Sequence, residues 1–342
     1  MNEREMTVDN GIKGKSKIRT TIEQTEFVLI LLIVIVCLIL NSVNEGFFTV
    51  ANFRCMSRGF TIEGFTLIGM CFLLITGAFD ISVASVMALG GYAFTSLALT
   101  GLNTWIALIF AIIIGAGVGL CNGLIYTKLG VNPFITTLAT MTIVRGLVLA
   151  VSQGNPIRLA THEFNRFSAA ELGDVPVMFI ALIITIIILD TMLRKVRWFR
   201  QLFFVGGNEN SAELIGINVL RIRLILFIII GALAALSGAL SSSRLEAAVP
   251  TAYIGTELKL MVACVIGGCS LNGGTGSLLG AALGLAFLFL LDNGMVMMGI
   301  DIYWFQGILG VFLIGVVTIN TISASSVEKS QKKAREIGSR LS

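Results

Sequence analysis

Two stretches of this chain leave its fold little choice. "FVLILLIVIVCLIL" (Phe27 to Leu40) holds no charge, and "VMFIALIITIIILDTML" (Val177 to Leu193) holds only Asp190. Neither can face water. About 20 apolar residues cross a hydrocarbon core as a helix, and backbone groups in lipid must bond within their own segment. Composition extends the argument to the whole chain, since 56% of residues are hydrophobic and 13% charged, against about 25% charged in a soluble domain. The expected fold class is all-α, a polytopic membrane helix bundle of about ten transmembrane helices.

The spans are expected at 27–43, 59–78, 83–100, 104–121, 133–152, 176–193, 223–240, 257–270, 275–291 and 304–321, the eighth and ninth being short and abutting at "GGCSLNGGTG". This organisation reads as a polar tail (1–25), a transmembrane domain (26–322) and a basic tail (323–342). Lysine and arginine choose the side. With a cytoplasmic N-terminus, the inside segments hold Arg4, Lys13, Lys15, Lys17, Arg19, Lys128, Arg194, Lys195, Arg197, Arg200, Arg221, Arg223 and the basic tail. The outside segments hold only Arg54, Arg58, Arg158, Arg166, Arg244 and Lys259. Both termini are therefore expected in the cytoplasm. The first apolar run follows a long mixed-charge tail and is long enough to span, unlike a signal peptide. The formal net charge of +4 reflects this inside bias and gives no reason to expect nucleic acid.

Several chemistries drop out. The six cysteines (Cys37, Cys55, Cys71, Cys121, Cys264 and Cys269) include no C-x-x-C pair and read as small membrane hydrophobes. The one histidine, His162, lies in a polar loop, which excludes an imidazole metal site. A phosphate-binding P-loop reads G-x-x-x-x-G-K-[ST]. The glycine-rich run from Cys264 to Gly284 has no lysine, and "GKS" at 14–16 has Asp9 where that motif needs glycine.

The glycines suggest close packing instead. Gly115, Gly119 and Gly123 recur every four residues, as do Gly276, Gly280 and Gly284. Each set is expected to line one helix face, letting a neighbouring backbone approach where lipid removes the hydrophobic drive between helices. "GGCSLNGG" ahead of Gly276 is too polar for a lipid-exposed helix, so it is buried in protein or lines a watery cavity. "ITGAFDISVASVMALGG" (Ile75 to Gly91) looks related: superposing Asp80 on Ser270 also superposes Gly90 on Gly280, which hints at an internal repeat.

Ionisable residues within spans are functional candidates by default. Asp80 is such a candidate or, more simply, a cap for the third span. Arg145 either snorkels or pairs with a carboxylate, Asp80 being one option. Asn132 precedes Pro133 at a helix start, and Thr136, Thr137 and Thr140 follow. Those threonines bond back to their own helix or face a polar path. Asn293, Asp301, Tyr303, Trp304 and Gln306 cluster near an interface, where Tyr and Trp belong without any ligand. In "GGNENSAELIGINVLRIR", Asn210 and Glu213 form an N-x-x-E capping box and Gly216 a C-terminal stop. The short helix between them either docks into another protein or packs on its own bundle.

These residues resemble a known family. "FDISVASVMALGG" (79–91), "CNGLIYTKLGVNPFITTLATMTIVRGL" (121–147), "GGNENSAELIGINVLRIR" (206–223), "VIGGCSLNGGTGSLLGAALG" (265–284) and "NGMVMMGIDIYW" (293–304) are similar to permease subunits of bacterial ribose-type monosaccharide ABC importers. These lie within the branched-chain amino acid and sugar permease group. The likeness runs from about Phe47 to Ile319. It implies a multi-pass protein of the bacterial cytoplasmic membrane, with a second permease subunit, an ABC ATPase subunit carrying tandem nucleotide domains, and an extracytoplasmic sugar-binding protein as partners. ATP would be bound by the ATPase and no cofactor by this chain. Carried over by position, the ATPase-coupling segment is Asn208, Glu209, Asn210, Ser211, Glu213 and Gly216. The substrate path takes Asp80, Ser82, Asn122, Asn132, Thr136, Thr137, Thr140, Ser270, Asn272 and Asn293. The family's "G-G-x-D-L-S-V-G" reads "G-A-F-D-I-S-V-A" here, with Ala78 and Ala84 in place of two glycines. The resemblance leaves open ribose, another pentose or hexose, a polyol or a sugar derivative as substrate, and homodimer or heterodimer as assembly. An ion-coupled secondary transporter of a small polar solute is the competing reading. An intramembrane enzyme is disfavoured by the lack of a second histidine or a serine–base pair.

Overall fold

A computed structural model describes residues 25–159, 168–301, 303–315 and 318. His162, Arg166, residues 1–24 and the basic tail (323–342) lie outside them. Twelve helices are described in the order α1 (Thr25–Val43), α2 (Val50–Ile75), α3 (Val83–Leu99), α4 (Thr104–Leu129), α5 (Pro133–Ser152), α6 (Val177–Lys195), α7 (Arg197–Gly207), α8 (Glu209–Leu214), α9 (Val219–Leu245), α10 (Thr256–Ile266), α11 (Leu278–Met297) and α12 (Tyr303–Gly315). Seven of these are long and apolar enough to cross a membrane: α1, α2, α4, α5, α6, α9 and α11. The other three expected spans correspond to the shorter α3, α10 and α12. The second span starts at Val50 rather than 59, because Thr49 Oγ1 accepts from Asn52 N and caps the helix there.

The ends of these helices gather into two groups. At one end lie α7, α8, the 76–82 turn between α2 and α3, and the 267–277 turn between α10 and α11. Gly274 N donates to Ile75 O across the two turns at 2.9 Å, and Gly206 of α7 packs against both Ile75 and Gly274. Glu26 of α1 reaches the same end, pairing with Arg194 and accepting from Ser277 Oγ. At the opposite end two-residue strands pair antiparallel: β1 (Ile157–Arg158) with β4 (Ala247–Ala248), and β2 (Glu171–Leu172) with β3 (Val175–Pro176). There Arg58 pairs with Glu171 at 2.7 Å.

Helix α9 runs through the centre. Its Phe227, Ile230, Ala234 and Ala235 are fully buried. The expected glycine packing holds for α4: Gly115, Gly119 and Gly123 all face α9, and a Cβ on Gly119 would collide with the carbonyl oxygen of Phe227. Gly90 and Gly91 of α3 meet Ala235 and Gly238 on the same helix. In α11, Gly280 and Gly284 pack on Gly267 and Ala263. Gly276 departs from the expectation. It lies in the turn before α11, against Ile75 and Cys269, because Ser277 caps the helix by accepting from Gly280 N. The expected superposition of Gly90 on Gly280 pairs residues in different surroundings, Ala235 for one and Gly267 for the other. Large apolar side chains outside this core, such as Ile109, Ile113, Ile143, Val151 and Ile188, are exposed, as expected where lipid is the solvent.

Candidate functional site

Breaking the backbone between α2 and α3 creates the first site. Gly77 takes φ +76°, and the chain turns so that Asp80 is buried at 1% exposure. Asp80 Oδ1 accepts from Ser82 N at 2.8 Å and Ser82 Oγ at 2.6 Å. This closes a local turn ahead of α3, but it is not the expected helix cap: the N-cap of α3 is Ser82, and Asp80 accepts from no N–H within the helix. Asn122 of α4, fully buried, donates from Nδ2 to Asp80 Oδ2 at 3.3 Å and to Ser82 Oγ at 3.0 Å. Thr140 of α5 donates to Asn122 Oδ1 at 2.6 Å. Asp80, Ser82, Asn122 and Thr140 thus form one network across three helices. A buried carboxylate is tolerated only when such partners satisfy it.

The other expected path residues divide. Thr136 is buried near this network with its hydroxyl unpartnered. Thr137 donates back to Pro133 O at 2.8 Å, within its own helix. Asn132 is the N-cap of α5, accepting from Phe134 N. Ser270 and Asn272 lie in the 267–277 turn, where Ser270 Oγ accepts from Asn272 N and the Asn272 carbonyl abuts Gly77. Asn293 lies at the opposite end, paired with Asn52 at 2.7 and 3.1 Å. Arg145 does not reach Asp80. Its Nη1 donates to Pro250 O and Ala252 O at 2.6 and 2.9 Å, because the loop after α9 presents two carbonyls to it.

The second site is α8. Its cap is Asn208 rather than Asn210: Asn208 is extended at φ −162° and its Oδ1 accepts from Ser211 N at 2.9 Å. The expected capping box between Asn210 and Glu213 is therefore absent. Both asparagines suit a cap by type, and the backbone break at 208 decides between them. Gly216 is the stop expected. At φ +84° it donates to Glu213 O, while Ile217 N reaches back to Ala212 O at 3.0 Å, a Schellman closure. Ala212 is buried, Glu213 is exposed, and Leu214 and Ile215 are 88% and 65% exposed. Glu209 Oε2 pairs with Arg223 Nη1 at 2.9 Å. Arg223, itself buried, donates from Nη2 to Thr76 O at 3.1 Å and lies 5.4 Å from the centre of the Tyr126 ring.

Two charged groups escaped the sequence reading. Lys259, assigned there to an outside segment, is buried in α10. Its Nζ lies 3.0 Å from Glu63 Oε2, 4.0 Å from Asp292 Oδ2 and 3.6 Å above the Phe289 ring. Glu63 and Asp292 each stand in a separate apolar run and Lys259 follows Glu257 in a third, and only the packing of α2, α10 and α11 unites Glu63, Lys259 and Asp292. A scan for single charges within apolar runs would have flagged Glu63. Asp190 of α6 is buried as well. Its Oδ2 accepts from Arg194 Nε at 2.7 Å, and its Oδ1 accepts from Leu278 N and Leu279 N at 3.1 and 3.2 Å. It thereby serves the N-terminus of α11, where a negative charge is favoured. Among the described residues no three His, Cys, Asp or Glu side chains are grouped to hold a metal ion.

Residues 56–317 match the family described as "Branched-chain amino acid transport system / permease component". The ribose import permease protein RbsC of Bacillus subtilis (strain 168) is 35% identical over 288 residues, covering 84% of this chain and 89% of that protein. RbsC of Escherichia coli (strain K12) is 32% identical, covering 81% and 87%. The L-arabinose transport system permease protein AraH of the same strain is 32% identical, covering 80% and 83%. A solved metal-chelate type ABC transporter, in an inward-facing conformation, shares the fold with a TM-score of 0.52 over 87% of this chain and 99% of its own, at 16% identity.

Proposed function

This chain belongs to the branched-chain amino acid transport system permease component family, a family of transport proteins rather than enzymes, and on that premise we propose that it is the membrane subunit of an ATP-driven monosaccharide importer. The similarity to ribose and arabinose permeases supports a pentose or related sugar as substrate. In this reading a partner ATPase binds ATP and docks on Asn208 to Gly216. An extracytoplasmic binding protein delivers sugar to the opposite end, and a second permease subunit completes the path. The chain itself carries no cofactor. The α7–α8 end faces the cytoplasm of a bacterial cell, with the 1–25 and 323–342 tails on that side and the permease domain spanning 26–322. The concentration of Lys128, Arg194, Lys195, Arg197, Arg200, Arg221 and Arg223 at that end supports the orientation.

One observation carries the mechanism. A helix standing outside the spans, with Leu214 almost wholly exposed, is tied through Glu209 and Arg223 to the Thr76 carbonyl. Thr76 opens the turn that holds Asp80. A force applied to α8 therefore has a short bonded route to the Asp80–Ser82–Asn122–Thr140 network, which we assign to the substrate path together with Thr136. Ser270 and Asn272 flank it from the 267–277 turn.

The Lys259–Glu63–Asp292 cluster is the feature that favours the competing, ion-coupled reading. The test is uptake by vesicles containing the purified chain, the ATPase and the binding protein. Uptake of sugar that requires ATP and survives collapse of the ion gradients is expected. Uptake that follows an ion gradient and ignores ATP overturns the importer reading.

A further inference from the structure

We propose that the groove between α7 and the start of α9 binds the headgroup of an anionic phospholipid from the leaflet at the α7–α8 end. The groove encloses a cavity of about 380 Å³, lined by Trp198 and Gln201 of α7, by Asn218, Arg221 and Ile222 at the start of α9, and by Gly216. It lies where α6 has ended at Lys195 and α9 begins at Val219.

Charge singles this place out. Lys195, Arg197, Arg200 and Arg221 are all exposed, and none of their side chains makes an ion pair among the described residues. Their neighbours are satisfied: Arg194 by Asp190 and Glu26, Arg223 by Glu209. So are Arg54 and Arg58 at the opposite end, which Glu171 and Asp174 neutralise. Among the described residues, four cations without an ion pair thus gather at this end, with Arg221 lining the cavity itself, against two, Arg158 and Arg244, at the opposite end.

The apolar groups decide between a lipid and an acidic protein surface. Helix α7 buries Leu202 and Val205 in the bundle and stacks Phe199 edge-on against Phe72 at 5.5 Å. Beside its arginines it leaves Phe204 exposed, and Val196 and Leu220 are exposed on either side. Cations interleaved with exposed apolar side chains, and a half-buried Trp at the rim, are the make-up of a helix lying in a membrane interface. Basic pockets between helices on that side suit lipid phosphodiesters. The inference rests on the chain's place in a membrane and is independent of motor docking at α8.

Trp198 provides the readout. With Trp105→Phe and Trp304→Phe it is the sole indole in the chain. The full chain is reconstituted in phosphatidylcholine vesicles containing phosphatidylglycerol, with bromine on the acyl chains of one lipid or the other at equal mole fraction. Brominated phosphatidylglycerol should quench Trp198 more strongly than brominated phosphatidylcholine. Arg197→Gln, Arg200→Gln and Arg221→Gln should each lower that preference by about fivefold, with Lys at the same positions retaining it. Equal quenching by the two lipids overturns the proposal. So does loss of the preference on adding inorganic phosphate at constant ionic strength, which would assign the groove to free phosphate. A triple Gln variant that keeps its lipid preference but no longer co-purifies with the ATPase overturns it in favour of a protein contact. Failure of ATP-driven uptake would leave the quenching result standing, so the two readings fail separately.

Discussion

Arg223 and Glu209 join the outermost helix of this protein to its interior: the guanidinium Nη1 lies 2.9 Å from the Glu209 carboxylate while Nη2 holds the Thr76 carbonyl at 3.1 Å. Arg223 is buried and Glu209 half-exposed. Arg223→Met should therefore cost about 1.5–3 kcal/mol, the range for hydrogen bonds to a charged group, without unfolding the bundle. The thermal midpoint of the detergent-solubilised chain measures the cost. In the complex with the ATPase, the variant should still assemble yet lose the rise in ATP hydrolysis caused by loaded binding protein. A variant with normal stimulation would show that the route through Thr76 carries no signal.

The exposed tip of α8 should behave oppositely. Glu213, Leu214 and Ile215 are exposed, so Glu213→Lys and Leu214→Asp should alter chain stability by less than about 0.5 kcal/mol. Both should reduce co-purification of the ATPase at least tenfold. Co-purification at the normal level would remove α8 as the docking element.

Packing between α4 and α9 gives a prediction with an internal control. Gly119 faces the Phe227 carbonyl, whereas nothing approaches the place of a Cβ on Gly117. Gly119→Ala should destabilise by about 1–3 kcal/mol through overpacking. Gly117→Ala should be neutral or slightly stabilising, since alanine favours the helix. Monodisperse elution of fluorescent fusions after heating separates the two. Equal behaviour would contradict the close approach of these helices.

The charge cluster at Lys259 should respond to the loss of either sign. Lys259→Met leaves the partly buried Glu63 and Asp292 without their cation, and Glu63→Gln leaves the buried Lys259 with only the more distant Asp292. Removing one partner of a buried pair costs about 3–5 kcal/mol. The double variant should recover much of the loss, and a double-mutant cycle on thermal stability measures the coupling. Additive losses would mean that the pair is not coupled.

Some of this was legible before any tertiary structure. The apolar runs, the helix start at Pro133, the Gly216 stop and the glycine face of α4 all depend on residues within a turn or two of one another. The same locality explains the error at α8. Asn208 and Asn210 are chemically equivalent caps, and the backbone angle that separates them depends on how α7 ends against α2. Asp80, Ser82, Asn122 and Thr140 were each readable as candidates, but their union in one network was not.

The sequence by itself determined the solvent of this protein and the helical class of its fold, because apolar runs of this length have no other way to satisfy their backbone in lipid. It also settled, by placing glycine at fixed intervals, which face of α4 could be approached. Only the tertiary structure decided which charges meet. Glu63, Lys259 and Asp292, or Glu209, Arg223 and Thr76, come from separate helices, and their pairing follows from the depth and rotation at which those helices pack.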